Sequence, residues 1–100
     1  MKTYRDWLDA LLDPTPNEVW RKAKIIDLGH ELAGLRRDDY GNTIQQSAYG
    51  DRSSPYGWEI DHVIPKAMEG SSRIDNLRPL HWRANTSKSD KLPGLFGLAG

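Results

Sequence analysis

No cysteine occurs anywhere in the 100 residues, so neither a disulfide nor a thiolate-bound metal can staple the fold. Disulfide frameworks, cysteine zinc sites, iron–sulfur clusters and cysteine nucleophiles are excluded together. A chain of this length is one small domain that buries only about 60–65% of the surface its unfolded form exposes. Its core must come from the 37% of residues that are apolar, set in short elements. No apolar run approaches the roughly 20 residues of a membrane helix. The first residues, MKTYRDWLDALLD, place Asp6, Asp9 and Asp13 where a signal peptide needs an unbroken apolar stretch. The expectation is a globular protein of the cytoplasm with no membrane partner.

Periodicity and punctuation give the elements. Trp7, Leu8, Leu11 and Leu12 form one stripe, which predicts a helix over residues 3–13, ended by Pro14 and Pro16. Thr15-Pro16-Asn17-Glu18 reads as a new helix start, with Thr15 as cap, Pro16 in the first turn and Glu18 completing a capping box. That helix is predicted to run to about Leu32, with Gly34 as its stop. Residues 35–57 read as an irregular hairpin, turning at Tyr40-Gly41-Asn42 and again at Asp51-Arg52-Ser53-Ser54-Pro55. Trp58 to Ile64 is a strand stopped by Pro65, and Leu77 to Leu80 a second one. A polar loop around Gly70-Ser71-Ser72 joins them. Trp82 to Lys91 is a short helix, and 92–100 an apolar, glycine-rich tail. The fold class is α+β within one domain: two amino-terminal helices over 1–34, a hairpin region over 35–57, and a strand–loop–strand–helix unit over 57–91.

The formal net charge is zero, so no overall field draws in a polyanion. The charge is uneven, however. Residues 52–100 hold seven basic groups against five acidic ones, whereas 1–33 and 34–51 each carry one acidic group in excess. A polyanion would dock on the carboxy-terminal half.

The chemistry is concentrated in the same half. Asp61-His62 closes the first strand, Asp75-Asn76 precedes the second, and Asn85 and Lys88 share one helical face at i, i+3. An Asp is a hard oxygen ligand suited to Mg²⁺ or Mn²⁺. A neutral His beside it can take a proton from water near physiological pH. Read singly, each has a plain meaning: a surface pair at a strand end, a turn asparagine, a solvated helix position. His30 and His81, like Trp58 and Trp82, read as structural, and Arg21, Lys22 and Lys24 as the wet face of the second helix.

The ordered set carries more. Residues 56–91 resemble the HNH nuclease family, whose core is a ββα-metal (His-Me) finger. The matching words are Tyr56-Gly57-Trp58-Glu59-Ile60-Asp61-His62, then Asn76-Leu77-Arg78-Pro79-Leu80-His81-Trp82, then Asn85 and Lys88, with weaker similarity through Arg37-Asp38-Asp39-Tyr40-Gly41. Asn76 lies 14 positions after His62, and Asn85 nine positions after Asn76. The resemblance implies His62 as general base, Asn76 as the residue that braces the loop and orients it, and Asp61 and Asn85 as ligands of one Mg²⁺ or Mn²⁺. Arg78 and Lys88 match positions that are often basic and face phosphate. Lys66, Arg73 and Arg83 are further candidates for nucleic-acid contact. Many relatives carry paired CxxC motifs for a structural zinc. None exist here, so the amino-terminal helices are expected to stabilise the finger instead. Ser89, a turn beyond Asn85, stands where some relatives place a third metal-binding His, which implies a two-ligand site completed by water and phosphate. The implied activity is metal-dependent hydrolysis of double-stranded DNA, leaving 5′-phosphate and 3′-hydroxyl ends. A monomer would nick, and a homodimer or partner protein would be needed to cut both strands. The runner-up readings are an HNH-like module that binds nucleic acid or protein without cutting, and an RNA-directed nuclease.

Overall fold

Proline and capping residues set the element order in a computed structural model, which describes residues 3–91. Helix α1 (Tyr4–Leu12) ends just before the Pro14 and Pro16 break. Its apolar stripe lies open: Trp7, Leu11 and Leu12 are 62%, 82% and 72% exposed. The expectation was that both amino-terminal helices stabilise the finger in place of a zinc; the buried core cluster draws on Val19, Trp20 and Ala23 from the segment that follows α1.

Helix α2 (Pro16–Trp20) starts as its sequence predicts. Thr15 sits in extended backbone and its hydroxyl accepts the Glu18 amide, with Pro16 in the first turn. The helix expected to reach Leu32 stops there. Lys24 exchanges both backbone hydrogen bonds with Arg37, at 2.8 and 2.9 Å, and the β-branched pair Ile25-Ile26 favours the extended backbone this needs. Asp27 then restarts the helix: its carboxylate accepts the His30 amide at 2.8 Å and caps α3 (Leu28–Leu32). The His30 ring leans on the same carboxylate. Ile25, Leu28 and Leu32, which lie in the span predicted as one helix, are exposed.

Strands β1 (Leu35–Arg37) and β2 (Thr43–Gln45) form an antiparallel hairpin with Arg36 opposite Ile44. Gly41 turns it at φ +86°, a region that favours glycine. A second antiparallel pair, β3 (Trp58–His62) and β4 (Leu77–His81), sets Trp58 opposite His81 and Asp61 opposite Arg78. β3 stops two residues short of Ile64, because Val63 and Ile64 turn their amides onto Asn76. Helix α4 (Trp82–Lys91) follows β4 directly. The apolar tail expected over 92–100 lies outside the described residues. No described helix is long and apolar enough to cross a membrane.

The core lies between α2, β2 and the β3–β4 ribbon: Val19, Trp20, Ala23, Ile44, Trp58 and Leu77, with Ile60 against them. The Trp20 and Trp58 rings meet at 5.3 Å. Lys22, expected on a wet face, instead donates its ammonium to the carbonyls of Ile74 and Leu77 and pins α2 to the start of β4.

Asp38 ties the two ribbons together. It is 1% exposed, and its carboxylate accepts the amides of Tyr40, Asn42 and His81 and the side chain of Asn42, at 2.8–3.0 Å. Asp38→Ala would strand these donors, and an unpaired buried donor costs roughly 1–3 kcal/mol. We expect a stability loss of about 3 kcal/mol, read from the urea midpoint. A loss below about 1 kcal/mol would show that water replaces the carboxylate at no great cost.

Candidate active site

Alternation along β3 sorts its side chains. Trp58 and Ile60 turn to the core, whereas Glu59 and Asp61 turn to α4. On α4, Asn85 and Lys88 lie three apart on the facing side. Two rungs result. The Asn85 amide donates to Glu59 at 2.9 Å, and the Lys88 ammonium donates to both Asp61 oxygens at 3.0 and 3.1 Å. Arg52 clamps Glu59 from outside through two hydrogen bonds. Its guanidinium, aided by Asn85, holds Glu59 below the usual carboxylate range despite partial burial.

His62, at the end of β3, is half-buried. It shares one cleft of about 220 Å³ with Asp61, Lys66, Asn85, Lys88 and Ser89. Its Nε2 meets the Ser72 hydroxyl at 3.1 Å. If Nε2 carries the proton, Ser72 accepts it and Nδ1 keeps a bare lone pair. Burial lowers the imidazole below its ordinary pKa. The Lys66 ammonium, and more weakly Lys88, push the same way, against the pull of Asp61 and Asp13. The ring is therefore neutral, and able to accept a proton, over a wider pH range than a free histidine.

Asn76 stays out of the cleft and works as a staple. Its amide oxygen accepts the Ile64 amide at 2.9 Å, and its nitrogen donates to the carbonyls of Ile64 at 3.1 Å and Ser71 at 2.7 Å. The loop that presents Ser72 is thereby held against the end of β3. Gly70 lets that loop pass close: a Cβ there would lie 1.7 Å from the Ile64 carbonyl oxygen.

Two of the basic candidates are spent inside the protein. Arg78 faces Asp61 across the ribbon and donates to it at 2.8 Å through Nε. Its other nitrogens reach Asp39 and the Tyr40 hydroxyl. Burial alone would weaken its hold on the proton, but these bonds outweigh burial and raise its pKa. Lys88 is likewise tied to Asp61. In contrast, Lys66 and Arg73 are exposed with no side-chain partner among the described residues, and Arg83 lies open over the Trp82 ring at 5.0 Å. His81, as expected, is structural: its ring meets the Pro55 carbonyl and accepts the Arg83 amide.

The donor chemistry suits a hard cation. Around the Lys88 ammonium stand both oxygens of Asp61, the carbonyl of His62 at 2.7 Å and that of Val63 at 3.2 Å. Oxygen donors of this kind favour Mg²⁺ or Mn²⁺. Asn85 lines the same cleft, its amide nitrogen given to Glu59. No group of three or more His, Cys, Asp or Glu among the described residues is placed to hold a metal, and Asp61 is the one carboxylate among the residues lining the cleft.

Sequence reading missed Ser72, Glu59, Asp38 and the inward turn of Arg78 and Lys88. Ser72 carries no signal of its own, since Gly-Ser-Ser is ordinary loop composition. Asp38-Asp39-Tyr40 stood in the weakly matching stretch, and its partners only become visible once β4 lies beside it.

Residues 47–91 match the HNH endonuclease family model. The chain is also 30% identical over 60 residues to the probable mobile endonuclease C of Enterobacteria phage T4. That match covers 58% of this chain and 29% of the phage protein, so the chain spans well under half of that relative's length. No solved structure matches the chain.

Proposed function

We propose, from the match of residues 47–91 to the HNH endonuclease family model, that the chain hydrolyses phosphodiester bonds of double-stranded DNA in the cytoplasm, with one Mg²⁺ or Mn²⁺. The observation that carries this is the cleft that His62, oriented by Ser72, shares with Asp61 and Asn85. The phage relative's name, a mobile endonuclease, accords with DNA as substrate.

His62 Nδ1 takes a proton from a water lined up behind the phosphorus. The water oxygen bonds to phosphorus as the bond to the 3′-oxygen breaks, and the departing 3′-alkoxide takes a proton from solvent water, leaving a 5′-phosphate and a 3′-hydroxyl. Ser72 orients the imidazole through Nε2, accepting its hydrogen bond in the tautomer that leaves Nδ1 bare, and Asn76 holds the loop that carries Ser72. Asp61 and Asn85 would hold the cation, which when bound supplies positive charge to the phosphoryl oxygens and the leaving oxygen. Arg78 acts from behind by fixing the Asp61 carboxylate. Lys66, Arg73 and Arg83 are the side chains open to phosphate. One cleft serves one strand, so a monomer nicks, and a double-strand break requires a second copy or a partner protein.

Because the pKa of His62 is lowered, cleavage should rise with pH through a limb lying below the ordinary histidine value and be level near neutrality. The sign follows from the base role: the protonated ring cannot accept, so activity falls as pH drops through the folded-state pKa. A single-turnover pH profile checks this, and a limb centred well above neutrality would assign the titrating base to another group.

One observation favours the reading of a binding module that does not cut: Asp61 already carries two cationic partners. End analysis separates the readings. A nicked plasmid that ligase reseals directly has the ends the hydrolysis requires. Binding without nicking would favour the module, and cutting confined to RNA would favour an RNA-directed nuclease.

A further inference from the structure

Lys88 occupies an unusual place for a lysine on a short surface helix. Its side chain is 16% exposed, and four oxygens surround its nitrogen: two from Asp61 and one each from the His62 and Val63 main chain. An ammonium has three donors, so nothing is left over for an incoming phosphate. Such a cage compensates the ammonium for the water it gives up. Arg78 holds the same carboxylate from the opposite side.

We propose that Lys88 is the resident counter-cation of the site, filling the oxygen cage built by Asp61, His62 and Val63, and that a divalent cation enters only as this ammonium swings out into the cleft. The proposal rests on the reading of Asp61 as the cation's ligand. Mutual exclusion follows from charge. With Arg78 in place, Asp61 already faces two positive groups, and a divalent ion within a few ångströms of both would meet strong repulsion in a half-buried site. Only Lys88 can yield, because it reaches the cage on a flexible four-carbon stem, whereas Arg78 is held at all three nitrogens by Asp61, Asp39 and Tyr40. A place awaits the displaced head: Lys88 also lines a neighbouring groove with Tyr40, Ser87 and Lys91. A DNA phosphate reaching either opening would give the freed ammonium a new partner. Cation and DNA should therefore each strengthen the binding of the other, and the coupling is reciprocal.

The test measures Mn²⁺ binding by calorimetry on chelator-treated protein without DNA. Lys88→Met, which keeps the stem and removes the charge, should bind Mn²⁺ roughly tenfold or more tightly than the wild type. Unchanged or weaker binding by a folded Lys88→Met protein overturns the proposal. Asp61→Ala distinguishes the two layers. If it abolishes Mn²⁺ binding while Lys88→Met fails to tighten it, the Lys88 proposal alone is wrong. If it leaves binding unaltered, the cation site itself lies elsewhere and both fall. A second measurement needs no variant. The ammonium ¹H–¹⁵N signal of Lys88 in the wild type should be protected from exchange without metal and should shift or vanish as Mg²⁺ saturates the protein. A signal unmoved at saturation overturns the proposal even if Lys88→Met does not fold.

Discussion

The His62→Ala protein, folded like the wild type, should cut a DNA duplex roughly 10²–10⁴-fold more slowly, the usual worth of a positioned general base. The ring sits in the cleft, its Nε2 is occupied by Ser72, and its surroundings keep it neutral. Removing it takes away the proton acceptor without disturbing the core, to which it does not belong. Single-turnover cleavage of a labelled duplex, with circular dichroism as the control for folding, reads the loss. Undiminished cutting would take His62 out of the mechanism. His81 could not then step in as it stands, because both of its ring nitrogens are engaged by the Pro55 and Arg83 backbone.

Asp61 should matter as much, for two separable reasons. As the charged oxygen ligand it should dominate cation affinity, so Asp61→Asn should weaken Mn²⁺ binding at least about tenfold and cleavage at least about a hundredfold, with Asn85→Ala milder in binding. Asp61 is also the common partner of Arg78 and Lys88, at 6% exposure against 15% and 16% for the two cations. Breaking a buried pair by removing one member costs roughly 3–5 kcal/mol. Asp61→Ala should therefore melt well below the wild type, while Asp61→Asn, which keeps the shape and an acceptor oxygen, should lose less. Calorimetry and thermal melts on the same samples separate the effects. Equal Mn²⁺ affinity in wild type and Asp61→Asn would place the ion elsewhere.

Much of the finger was legible in the chain. Asn85 and Lys88 fall on one side of a short helix, a signal that acts within a few residues, and the family resemblance picks out His62, Asn76 and Asn85, which the fold places around one loop and one cleft. Most of the failures involve partners far apart in the chain. The helix predicted through Leu32 breaks because Lys24 pairs with Arg37 and Asp27 caps a new start, and helical periodicity alone registers neither. Arg78 and Lys88 looked like phosphate contacts because they are basic and lie near the site. Which way they turn is decided by Asp61, 17 and 27 residues away. A buried carboxylate recruits the nearest cations, and composition does not say which ones. The apolar stripe of α1 is a real amphipathic pattern, yet its described apolar side chains remain exposed.

Supercoiled plasmid, incubated with wild-type and His62→Ala protein in Mg²⁺, in Mn²⁺ and in excess chelator, reports whether this chain cuts DNA with a divalent cation through His62. Conversion to nicked circle by the wild type in the metal lanes alone, and little or none by His62→Ala, is the predicted result. Plasmid that is bound yet stays supercoiled in every lane, or nicking that persists in chelator, would contradict the claim.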